Sequence, residues 1–105
     1  MAKTINFVFE GKDYTLEFTR ETVKSFERIY DINELPKKPV TMLPELFACA
    51  FKAHHPSVRR EVIDEIYENL GNRMELVQRL GEMYNDTVET LLESGQGNVE
   101  WGVNW

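Results

Sequence analysis

TMLPELFACAFKAHHPSVRREVIDEIYENL, from Thr41 to Leu70, decides the fold. The spacing predicts two helices joined at His54, His55 and Pro56. Leu43, Leu46, Phe47, Ala50 and Phe51 recur at helical intervals on the first, and Val62, Ile63, Ile66, Tyr67 and Leu70 on the second. Thr41 is the expected N-cap of the first helix, with Pro44 in its first turn, where a missing N–H has no intrahelical acceptor to lose. Pro56 ends it, because the residue before a proline avoids the α region. Ser57 is the expected cap of the second helix and Gly71 its left-handed stop. This pair offers the largest apolar face in the chain, and its chemistry is packing.

Residues 4–18 read as a β-hairpin. Ile5, Phe7 and Phe9 alternate with polar neighbours or Val8, and so do Tyr14, Leu16 and Phe18. A Gly11-Lys12 loop of type II′ would set Phe9 against Tyr14, Phe7 against Leu16 and Ile5 against Phe18, all on one face. Thr19 then caps a helix of about three turns with Val23, Phe26, Ile29 and Tyr30 as its apolar stripe. Residues 31–40, with Pro36 and Pro39, read as a loop. Asn72 and Glu75 form a capping-box variant that opens the last helix. Its face is Met74, Val77, Leu80, Tyr84, Val88, Leu91 and Leu92, and it ends near Gly95. The expected class is α+β: one domain over 1–105, with a hairpin at 1–18, about four helices over 19–95 and a tail at 96–105.

In the tail, Val99, Trp101, Val103 and Trp105 alternate strictly with Glu100, Gly102 and Asn104, which reads as a strand. Two tryptophans are costly to leave in water. The strand has two destinations: a third strand on the chain's own hairpin, or a groove or sheet edge of another molecule. Val99, Trp101, Val103 and Trp105, with Phe47 and Phe51, are therefore the candidate protein-interaction residues.

The 105 residues carry a net charge of −6, and the 12 Lys and Arg are scattered. A grip on a phosphate backbone concentrates positive charge, so nucleic acid is not an expected partner. No apolar run is long enough for a membrane span, and residues 1–10 do not read as a signal peptide. Cys49 is the single cysteine, which excludes an intramolecular disulfide and fits a reducing cytoplasm. No cofactor, metal or catalytic residue is expected. Cys49, His54, His55 and Glu61 match no zinc spacing. The carboxylates Glu61, Glu65 and Glu68, and Glu82, Asp86, Glu89 and Glu93, read as solvated helix faces. Ser25, Ser57 and Ser94 lack a nucleophile elbow, and Gly95-Gln96-Gly97 follows a helix where a phosphate loop would open one.

The segments KTINFVFEGKDYTLEFTRETV (3–23), LPELFACAFKAHH (43–55), VIDEIYE (62–68), GEMYNDTVETLL (81–92) and GNVEWGVNW (97–105) resemble the short tail-assembly chaperones of tailed bacteriophages and prophages of Gram-positive bacteria. That resemblance rests on overall pattern and carries no catalytic residue. It implies a non-enzymatic protein of the bacterial cytoplasm that coats the helical tape measure protein and keeps it soluble. It also implies self-association, absence from the finished virion, and a tail tube protein recruited through a longer, frameshifted form. The competing class is a small regulatory or adaptor protein that binds another protein. Gene neighbourhood separates the two.

Overall fold

A computed structural model describes residues 3–93 and 102–104. An antiparallel hairpin, β1 (Ile5–Phe9) and β2 (Lys12–Leu16), is followed by α1 (Arg20–Glu27), α2 (Pro39–Lys52), α3 (Arg60–Asn69) and α4 (Arg73–Glu93). A single 3-10 turn at Ile32–Glu34 interrupts the α1–α2 connection. This is the α+β arrangement expected from the pattern. No described helix is long and apolar enough to cross a membrane.

The hairpin pairs two residues away from the expected register. Phe9 faces Lys12, Phe7 faces Tyr14 and Ile5 faces Leu16. The two-residue loop is Glu10-Gly11, with φ of 49° and 78°. Positive φ at both central residues makes a type I′ turn, whose twist matches that of the strands. The slip relative to the Gly11-Lys12 reading is two residues, so parity survives and the same side chains stay on one face. Tyr14 and Leu16 are buried, while Ile5, Phe7 and Phe9 are half-buried.

α2 is the centre of the molecule. It contacts β2, α1, α3 and α4, and Met42, Leu43, Leu46, Phe47, Ala48, Ala50 and Phe51 are all buried on it. A helix apolar round most of its circumference belongs inside a core. It starts three residues earlier than expected. Pro39, not the residue after Thr41, opens it, since proline's fixed φ suits the first helical position and its missing N–H costs nothing there. Pro44 therefore falls inside the helix, not in its first turn. The Val40 carbonyl, which loses a donor to Pro44, belongs to a residue open to solvent.

Several helix ends differ from the sequence reading. Thr19 caps α1 as expected, and Thr22 completes the box by accepting the Thr19 N–H at 2.8 Å. α1 is shorter than three turns, and Ile29 lies beyond it, exposed. α3 begins after Arg59 instead of Ser57, and Val62 is exposed on it. Gly71 is not the left-handed residue; Asn72 is, at φ 54°. Arg73 closes α3 instead: its guanidinium donates to the Tyr67 and Glu68 carbonyls at 3.1 and 3.2 Å, and lies 4.6 Å from the centre of the Tyr67 ring. On α4 only Leu80, Met83 and Tyr84 are buried, and Met74 and Leu92 face solvent. The Asn72 amide donates to the Glu75 carboxylate, a link between side chains where a capping box would engage the backbone.

Candidate interaction surface

Phe47 and Phe51 are not surface residues. Both are 0% exposed. Their rings centre an aromatic cluster: Phe47 lies 5.9 Å from Phe51 and 5.4 Å from Tyr67, and Phe51 lies 5.2 Å from both Tyr14 and His55. Helical spacing marks an apolar face but not what covers it; here the hairpin and α3 do. Each such ring is worth about 2–3 kcal/mol in burial. Of the tail residues, Val103 is exposed and Gly102–Asn104 lie outside any strand. Val99, Trp101 and Trp105 lie outside the described residues, and so does the third strand as a whole.

The sequence places His54 and His55 at the junction of the two helices. The structure gives the pair a task. His55 Nε2 accepts the Thr15 backbone N–H at 3.1 Å, which puts the ring proton on Nδ1. His54 Nε2 and Glu17 Oε1 lie 2.5 Å apart. Between them, the Glu17 N–H donates to the Ala50 carbonyl at 3.1 Å. The C-terminal end of α2 thus grips the outer edge of β2 by three bonds. Lys52 holds the following loop by donating to the Val58 carbonyl at 2.9 Å. Only a chain fold brings Thr15 and Glu17 to the His-His pair, so no local signal could have announced it.

Part of the polar surface is ion-paired. Arg60 bridges Glu45 and Asp64, and Arg79 reaches Glu75 and Glu82. The hydrogen bond to Glu45, with that to Asp64 adding to it, holds Arg60 charged, whereas at Cys49, Tyr67, Tyr84 and His55 the fold favours the neutral form. Burial pushes the Cys49 thiol up, with Glu45 adding to the effect. Burial pushes the Tyr84 hydroxyl up to about 12 and raises Tyr67 as well. Burial, and then the neighbouring His54, push His55 down. A thiol held protonated is a poor nucleophile. Thr87, beside a cleft of about 220 Å³ between α1 and α4, has its hydroxyl committed to the Phe18 and Met83 carbonyls at 3.2 and 3.0 Å. Among the described residues no group of three His, Cys, Asp or Glu side chains is arranged to hold a metal.

Several large apolar side chains are also open to solvent. Val40 is 88% exposed and Met74 78%, and Ile29 and Leu92 also face solvent. Val40 stands at a groove of about 270 Å³ where the start of α2 meets the end of α3, lined by Pro39, Leu43, Pro44, Tyr67, Glu68 and Arg73. Sequence spacing assigned Met74, Ile29 and Leu92 to core faces and had no signal that Val40 stands clear.

The fold and these surfaces define a small α+β domain with a hairpin clamped to the end of a central helix. The chain belongs to the DUF5055 family, a domain of unknown function, whose family model matches residues 1–105. No curated protein matches it. No solved structure matches it either.

Proposed function

We propose that this chain is a tail assembly chaperone of tailed phages, and that it binds the tape measure protein and keeps it soluble while the tail is built. The observation that carries the reading is the set of large apolar side chains left outside the core on helical surfaces, above all Val40 at its groove and Met74 at the start of α4. A long amphipathic helix buries its apolar face in such a groove through anchors at i, i+3 and i+4 spacing. The net charge of −6 keeps the free chaperone soluble. The un-ionised Cys49, Tyr67 and Tyr84 are in keeping with contact rather than bond-making. The sequence resemblance set out above supplies the identity of the partner. In this reading the chain works in the bacterial cytoplasm and leaves before the virion is complete. Many copies coat one tape measure, and a longer frameshifted form recruits the tail tube protein.

The test is co-expression with a phage tape measure protein. The tape measure should become soluble and co-purify with the chaperone, and a Val40→Lys, Met74→Lys variant of unchanged melting temperature should lose most of it. A tape measure equally soluble without the chaperone, or one that never co-purifies, overturns the reading and leaves the regulatory adaptor.

A further inference from the structure

The two edges of the hairpin are not equivalent. The Thr15 and Glu17 N–H groups point away from β1, since they bond His55 and Ala50. Thr15 faces Asn6 across the ladder. In an antiparallel pair, residues directly opposite either exchange both bonds or turn both outward. Asn6 therefore presents its N–H and C=O away from β2, and so does Val8, two residues on. Among the described residues neither group has a hydrogen-bond partner. Val8 is 65% exposed. The edge of β2 is closed by the end of α2 and the residues after it, and among the described residues nothing closes the edge of β1.

An open edge recruits a strand. The flanking apolar face has room for one, because Ile5, Phe7 and Phe9 are only half-buried. The same chain carries a segment of matching pattern in Val99, Trp101, Val103 and Trp105. Residues 3–9 contain no carboxylate, so the lone charge of that segment, Glu100, meets no like charge there. The described part of it, Gly102–Asn104, is exposed and outside any ladder. Among the described residues, neither the β1 edge nor Gly102–Asn104 has a ladder partner.

We propose that the outer edge of β1 is a strand-acceptor site, and that its occupant is residues 98–105 of a second copy of this chain. The incoming strand makes about four ladder hydrogen bonds with Asn6 and Val8 and lays its apolar side chains over Ile5, Phe7 and Phe9. Donor and acceptor are different surfaces, so the contact is heterologous and generates rings or open chains of copies. This holds whether or not the chain coats a tape measure.

The test uses two full-length variants. Val8→Pro removes an outward N–H and leaves the β1–β2 ladder whole, since proline is tolerated on an edge. Trp101→Lys, Trp105→Lys removes the donor face and leaves the edge. In sedimentation, the wild type should grow beyond a monomer with concentration, each variant alone should stay monomeric, and an equal mixture should stop at a 1:1 pair. The chain has two tryptophans, at 101 and 105, so their emission should shift to shorter wavelength in the wild type as it assembles and stay unshifted in Val8→Pro. Should Val8→Pro fail to fold by circular dichroism, Asn6→Lys, Val8→Lys replaces it with charge along the same edge. Assembly of the edge variant like wild type, or no pairing in the mixture, overturns the proposal. So does a wild type that stays monomeric with blue-shifted emission, which would put the strand on its own edge.

Discussion

Replacing His55 and His54 one at a time separates a structural clamp from a surface ion pair. His55→Ala leaves the half-buried Thr15 N–H without its acceptor. An unsatisfied buried donor costs about 1–3 kcal/mol, and Thr15's partial exposure puts it near the lower end. The substitution also removes ring contacts to Tyr14 at 5.1 Å and Phe51 at 5.2 Å, worth about 0.5–1.5 kcal/mol. The expected loss is about 2 kcal/mol. With an unfolding entropy of about 2.1 cal/mol/K per residue, that lowers Tm by about 9 °C for a chain of this length. His54→Ala removes only a partly exposed pair with Glu17, worth about 0–1 kcal/mol, and should move Tm by less than about 4 °C. Thermal unfolding followed by circular dichroism at pH 7.5 reads both. The same clamp sets a pH dependence. His55 titrates below its ordinary 6.5 in the folded state, so its contribution is present in full above pH 6.5 and is lost as pH falls through the lowered folded value. Wild-type stability should therefore decline below pH 6.5 more steeply than that of His55→Ala. A His55→Ala protein as stable as wild type, or less affected than His54→Ala, refutes the clamp.

Phe51→Ala, emptying the middle of the aromatic cluster, should cost about 3–5 kcal/mol; urea unfolding with a midpoint unchanged within error would return Phe51 to the surface. Glu10→Asn places a residue at home with positive φ at the 49° position of the turn and should stabilise by about 0.5–1 kcal/mol, read as a rise in Tm. Pro44→Ala restores a donor to the Val40 carbonyl inside α2 and should add about 1 kcal/mol or more; a loss of stability would mean that the groove depends on the proline ring. Cys49, half-buried with its pKa raised, should react with iodoacetamide at pH 8 at least about tenfold more slowly than a free thiol, and at the free rate once unfolded.

The periodicities of two and 3.6 carried most of the fold. They located both strands and all four helices, and the Thr19 cap was readable from one residue. They missed where capping had a tertiary substitute: Arg73, reaching back from α4, made a left-handed Gly71 unnecessary. They also missed where two turn chemistries competed. Gly11 suits the first position of a II′ turn and the second of a I′ turn, and the twist of the strands decides between them. The candidate interaction residues fared unevenly for one reason. Apolar spacing finds a face, and a neighbour from elsewhere in the chain then decides whether that face is core, as for the candidates Phe47 and Phe51, or stands open, as for Met74, which the spacing had assigned to the core. The family match covers the whole sequence and assigns no chemistry, so function rests on surfaces that sequence alone ranked differently.

The bond from Thr15 to His55 spans 40 residues, and synthesis delivers its two ends at different times. At about 5–20 residues per second, a hairpin leaving the ribosome waits about 2–8 s for the histidine that will cover β2. During that interval both sides of the nascent hairpin can pair with a neighbour. Polysomes making this protein hold many such hairpins close together. Translation speed over residues 16–55 thus sets how long the hairpin waits for His55, and a pause placed after that stretch leaves the wait unchanged while one placed within it lengthens it.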